Sequence, residues 1–140
     1  MSGNFFDTNV FVYLMDNRDT AKRSIAEDLI FTAVANQSGT ISYQVVQETL
    51  SVLLHKMPRP ITVLHASRFF DEILQPFWTT MPSPELYRHA LEIQGRYAFH
   101  FYDALIVAAS LSAGCDTLYS EDMQHGQRIQ GLTIVNPFSV

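Results

Sequence analysis

The chain has 140 residues, 47% of them hydrophobic and 16% charged, with six Gly, six Pro and one Cys. That length supports one domain with its own apolar core, and the composition excludes intrinsic disorder, a collagen-like repeat and a disulfide scaffold. Nine Lys and Arg against 14 Asp and Glu leave a net charge of −5, which repels a nucleic-acid backbone unless bound cations neutralise it locally.

The lone Cys115 has no partner within the chain, and no Cys-x-x-Cys or His/Cys ligand spacing points to structural zinc. The N-terminus carries no basic segment followed by an apolar stretch, and no window nears 18 uninterrupted apolar residues. A soluble, cytoplasmic protein in a reducing compartment is expected.

In chain order, Asn4-Phe5-Phe6 reads as a strand ending at Asp7, and Phe11, Val12 and Leu14 follow at helical spacing. Ile25, Ala26, Leu29, Ile30, Ala33 and Val34 recur at i, i+3 and i+4, which predicts an amphipathic helix from Thr20 to Asn36. Asp19 or Thr20 caps it, and Gly39 lies just past its end. Thr40-Ile41-Ser42 is a short strand. A helix then runs from Tyr43 to Lys56, buries Val45, Val46, Leu50, Leu53 and Leu54, and stops at Pro58 and Pro60. Thr62 to Leu74 is a further helix and Phe77 to Thr80 a strand. Ser83-Pro84-Glu85 opens a helix to about Tyr97, since Ser caps, Pro suits the first turn and Glu faces the positive end of the dipole. Phe101 to Ser112 is helical and closed by Gly114. Thr117 to Tyr119 and Leu132 to Val135 are strands. Strands separated by helices imply crossover connections. The expected fold class is therefore α/β: one domain over 1–140, a three-layer α/β/α sandwich around a short, mainly parallel sheet.

Ligands of such a sheet bind beyond the carboxyl ends of its strands. Asp7 ends the first strand and Asp122 follows Thr117 to Tyr119, although a helix cap and a turn residue are their plain alternatives. Asp103 is the only charged residue between Tyr97 and Gly114. On a helix apolar nearly all round, a carboxylate loses water and needs a cation, hydrogen bonds or a capping role. Glu48 sits about 40° from Val52 and about 60° from Val45 on its helix, at the margin of the apolar stripe, from which it can reach inward, with a solvated helix Glu as the plain alternative. Brought together, Asp7, Glu48, Asp103 and Asp122 would repel one another and demand divalent cations. Oxygen-only ligands select Mg²⁺ or Mn²⁺ over Zn²⁺. Such an ion suits phosphodiester hydrolysis.

Phe5-Phe6-Asp7-Thr8-Asn9, Glu48 in Val45-Val46-Gln47-Glu48-Thr49-Leu50, Tyr102-Asp103-Ala104-Leu105-Ile106 and Tyr119-Ser120-Glu121-Asp122 resemble, in order and placement, the four motifs of the PIN-domain nucleases. Within that family the likeness is to the small VapC-type toxins of toxin–antitoxin pairs, from Asn4 to about Pro137. The resemblance implies a Mg²⁺- or Mn²⁺-dependent endoribonuclease that acts on structured RNA and leaves 5′-phosphate and 3′-hydroxyl ends. It further implies a homodimer neutralised by a cognate antitoxin protein. On it, Asp7, Asp103 and Asp122 hold metal, Glu48 binds metal or orients water, and Thr8, Asn9 and Ser120 donate hydrogen bonds that fix the carboxylates.

Glu121 stands beside the fourth motif with its direction open, and His125 is given no role. Lys22, Arg23, Lys56, Arg59 and Arg96 read first as surface charges and second as phosphate contacts. Phe69, Phe70, Phe77, Trp78 and Tyr97 read first as core and second as base-stacking rings. Two other function classes stand beside the nuclease. One is a phosphatase of the haloacid-dehalogenase kind, which wants a second Asp where Asn9 stands. The other is a non-catalytic RNA-binding or regulatory relative.

Overall fold

The computed structural model describes residues 3–139; Met1, Ser2 and Val140 lie outside the described residues of the expected domain. Strand β1 (Gly3–Phe6) leads through α1 (Thr8–Leu14) and α2 (Thr20–Asn36) to β2 (Gly39–Ser42). Helix α3 (Tyr43–Ser51) continues as a π-helical turn over Val52–Lys56, and α4 (Val63–Phe69) does the same over Phe70–Leu74. A three-residue turn, α5 (Gln75–Phe77), then enters β3 (Trp78–Thr80). Helices α6 (Pro84–Tyr97) and α7 (Phe101–Ser112) precede β4 (Cys115–Tyr119), β5 (Arg128–Ile129) and β6 (Leu132–Val135).

The helix starts follow from capping chemistry. Asp7, Asp19, Thr62 and Ser83 accept hydrogen bonds from the first-turn amides of α1, α2, α4 and α6. His100, not Asp103, caps α7, its ring accepting from the Tyr102 amide. That removes capping as the reason for an acid in this apolar helix.

The six strands lie in the order β3-β2-β1-β4-β6-β5, parallel except for β5, which pairs antiparallel with β6. The crossovers from β1 through β2 to β3 run one way along the sheet, and the crossover from β3 to β4 runs back across it. Because such connections are right-handed, reversed directions put their helices on opposite faces. This is the three-layer α/β/α arrangement expected. Phe5, Phe6, Ile41, Leu118 and Ile134 from the sheet, Val10, Phe11 and Val45 from one set of helices, and Ile93 and Val107 from the other are fully buried.

Several details depart from the sequence reading. Gly39 does not close α2: Gln37 takes the left-handed position there (φ 51°), and Gly39 opens β2 where a Cβ would meet the Phe77 ring at 2.5 Å and the Phe6 ring at 2.8 Å. Val34, placed in the apolar stripe, is 59% exposed. β5 went unforeseen because it has two residues, and its hairpin turn is Gln130-Gly131 (φ 52° and 90°) rather than the more telling Asn-Gly.

Candidate active site

Strand order reverses between β1 and β4, the two neighbours at the centre of the sheet. A crevice opens beyond the carboxyl ends of two strands at such a point, since their crossovers leave to opposite faces. Asp7 follows β1, and Ser120 with Asp122 follows β4. Backbone bonds extend the ladder past both strand ends, Asp7 N donating to Tyr119 O (2.9 Å) and Ser120 N to Val135 O (3.0 Å). α3 starts at the carboxyl end of β2 and carries Glu48. α7 runs into β4 through the Ala113-Gly114 turn, so its first turn, with Asp103, also lies at this end of the sheet.

The four acids line a single cavity of about 470 Å³ together with Thr8 and Asn9. Asp7 is buried. The Thr8 amide donates to its Oδ1 (2.7 Å) and the Ser120 hydroxyl to its Oδ2 (2.8 Å). Asn9 Nδ2 donates to Asp122 Oδ2 (3.1 Å). Two of the three residues expected to fix carboxylates, Asn9 and Ser120, thus do so through their side chains, while Thr8 does so through its backbone. The Thr8 hydroxyl is buried in the cavity wall beside Glu48.

Burial pushes the Asp7 carboxyl up to about 6, helped by the charges of Glu48 and Asp122 and opposed by its two hydrogen bonds. Glu48 and Asp103 are also held above their ordinary values by desolvation first. The charge of Asp103 adds to the effect at Glu48, and the charge of Asp122 adds to it at Asp103. Mutual repulsion among acids from four separate elements is the electrostatic mark of a site that gains from a bound cation. Among the described residues lining the cavity there is no arginine, and Lys56, on the π-helical turn after α3, is the only lysine. Among the described residues, no group of three or more His, Cys, Asp or Glu side chains lies close enough together to hold a metal ion. The donors are arrayed on the cavity wall.

Glu121 points away from the cavity. Lys22 Nζ pairs with it at 2.6 Å, and the Tyr13 hydroxyl donates to it at 2.6 Å. Lys22 is thereby bound to the loop after β4, and its Nζ sits 5.0 Å from the Tyr13 ring centre. His125 Nδ1 accepts the Asn136 amide (3.0 Å) in a turn. Phe69 and Phe77 are core, and Cys115 is a buried thiol. Sequence reasoning missed Gln44, Gln47 and Tyr102 in the cavity wall. Gln44 Nε2 donates to Tyr102 O (3.2 Å), which ties α3 to α7. Gln44 stands one turn before Glu48, and Gln47 and Tyr102 are the chain neighbours of Glu48 and Asp103; that spacing was their only signal.

A family model described as PIN domain matches residues 5–128. No curated protein sequence matches the chain. Among solved structures it is similar to the sarcin-ricin-loop-cleaving toxin VapC20 of Mycobacterium tuberculosis, 21% identical over 86% of this chain and 90% of that one, with a TM-score of 0.63. A toxin–antitoxin complex from Klebsiella pneumoniae is 19% identical over 99% and 100%, with a TM-score of 0.69. VapBC2 of Rickettsia felis bound to a promoter DNA fragment is 17% identical over 94% and 96%, with a TM-score of 0.63. At these identities the likeness is one of fold.

Proposed function

The chain belongs to the PIN-domain family, and from that membership and the acid-lined cavity we propose that it is a Mg²⁺- or Mn²⁺-dependent endoribonuclease, the toxin of a toxin–antitoxin pair. The observation that carries the reading is the meeting of Asp7, Glu48, Asp103 and Asp122 on one cavity at the switch point of the sheet. The donor set fits a hard cation, being oxygen-only and, among the described residues, free of arginine. Donors spread along a wall suit Mg²⁺, which keeps several of its own waters and takes few protein ligands beside substrate phosphate.

Asp7, Asp103 and Asp122 would hold the metal, with Asp7 and Asp122 oriented by Ser120 and Asn9. A bound divalent ion neutralises phosphate charge and acidifies water. Glu48, raised above its ordinary value, is suited to accept the proton of an attacking water. Lys56 lies where it can meet a phosphate of the strand. Asn9 replaces the second Asp that haloacid-dehalogenase chemistry requires, and its amide is engaged with Asp122, so no observation favours the phosphatase. All four acids line the one cavity, so no observation favours a non-catalytic relative either.

The similar structures include toxin–antitoxin complexes, and by extension this chain's partners are an antitoxin protein and a second copy of itself. No helix among the described residues is long and apolar enough to cross a membrane, and a cytoplasmic site of action accords with an RNA substrate. The test is cleavage of total RNA by purified protein with Mg²⁺, with Mn²⁺ and with EDTA, and with the cut ends mapped. Cleavage confined to the metal arms and abolished in a folded Asp103→Asn variant supports the reading. Undiminished cleavage in EDTA, or phosphate release from small monoesters without RNA cleavage, overturns it.

A further inference from the structure

A second cavity of about 110 Å³ adjoins the acidic one, and the two share Gln44, Gln47 and Tyr102. Buried Ser42, Leu105 and Ala109 form its inner wall, and Tyr87 and Tyr102, 45% and 57% exposed, stand at its mouth. Tyr87 is stacked on Phe101, with ring planes 10° apart and centres at 6.5 Å. Ser42 occupies the N-cap position of α3, yet its side chain caps nothing. Its hydroxyl is 97% buried by residue exposure and has no hydrogen-bond partner. Buried polar groups are normally paired, and an orphan on a cavity wall marks where a ligand atom completes the pairing.

We propose that this cavity is a nucleobase subsite, taking one unpaired base of the strand whose phosphate lies among the four acids; it rests on the ribonuclease reading above. Among the described residues lining it, none is charged, so a phosphate or an ionised peptide side chain would find no counter-charge. Flat aromatic rings at the mouth, with the Ser42 hydroxyl and the Gln47 amide beside them, match a neutral planar ring that carries a polar edge. The volume admits one ring system and is too small for a helix or strand of a partner protein. Continuity with the acidic cavity requires the occupant to be linked to whatever sits there, and a base adjoining the scissile phosphate is so linked.

The test is equilibrium binding, with Ca²⁺ in place of Mg²⁺ so that the acids are neutralised, of a short single-stranded oligoribonucleotide and of the same strand made abasic at each position in turn. The parent, Tyr87→Ala and Ser42→Ala are compared, and cleavage with Mg²⁺ and oligomeric state are measured alongside. In the parent, loss of one base weakens binding about tenfold, the scale of a stacked base. Tyr87→Ala binds the intact and abasic strands alike. Ser42→Ala alters the discrimination among the four bases at that position while its melting temperature stays level or rises, because a partnerless buried hydroxyl has been removed. An abasic profile that is flat, or unchanged in both variants, overturns the subsite, and leaves the ribonuclease reading standing if Mg²⁺-dependent cleavage persists. Loss of dimer in Tyr87→Ala with the profile unchanged also overturns it, in favour of a second copy of the chain. Absence of both binding and cleavage in the parent overturns the two readings together.

Discussion

Asp7→Asn should make the protein more stable while abolishing RNA cleavage, because burial makes the ionised native acid costly. Its carboxyl stands at about 6 against 3.8 for the free group. Ionising it in the folded chain therefore costs about 3 kcal/mol more than in the unfolded chain. Asn keeps the capping bond, since its Oδ1 still accepts from the Thr8 amide, and Asn is itself a good helix cap. The Ser120 hydroxyl, which now donates to Asp7, must turn to accept from the new amide and leave its own proton unpaired, at a cost of about 1 kcal/mol. The expected net gain is about 2 kcal/mol at pH 7.5 in EDTA, read by urea denaturation. The sign with pH is set by the raised folded value. Between about pH 4 and 6 the unfolded chain ionises first, so the parent loses stability as pH rises through that window and the loss is complete above it. Near pH 4 the advantage of the Asn variant should vanish or reverse. A variant less stable than the parent at pH 7.5, or a difference that is the same at both pH values, refutes the electrostatic account of the site. Mg²⁺ should raise the melting temperature of the parent and leave that of the variant nearly unmoved, since only a state that binds the ion is stabilised by it.

Three further outcomes follow from the geometry. Gly39→Ala drives a methyl into the Phe6 and Phe77 rings and should destabilise the fold by about 1–3 kcal/mol, measured as a lower denaturation midpoint. Tyr13→Phe removes the hydroxyl bound to Glu121 and contacted by Lys22 (3.1 Å), and should lower stability by about 1 kcal/mol while loosening the loop that carries Asp122, seen as faster amide exchange there. Arg18 grips both oxygens of Asp16 at 2.9 and 2.8 Å and holds that carboxyl down at about 2. The depressed folded value means that its stabilisation is present above about pH 4 and lost as pH falls toward 2, so Asp16→Asn should flatten the acid limb of the stability curve.

Much of the site was legible because each acid violates a local expectation. Asp103 interrupts an apolar helix, Asp7 and Asp122 punctuate strands, and Glu48 sits at the edge of a buried stripe. Local pattern does not say where a side chain finally points. Glu121 and Asp122 are neighbours with one charge type, yet one faces Lys22 and Tyr13 and the other the cavity. The π-helical turns after α3 and α4 have the apolar spacing of ordinary helix and were read as such. One of them sets Lys56 at the cavity, the placement such turns often serve near functional sites.

The chain alone determined the order of the main helices and of every strand but the two-residue β5, and it singled out the four acids, since periodicity, capping and the cost of isolating a carboxylate act over a few residues at a time. The tertiary structure decided that β1 and β4 are neighbours where strand order reverses, that the acids from four elements share one cavity, and that Ser42 is left unpaired beside it. Those facts depend on contacts between residues far apart in the chain, such as Ser120 with Asp7, which no local spacing encodes.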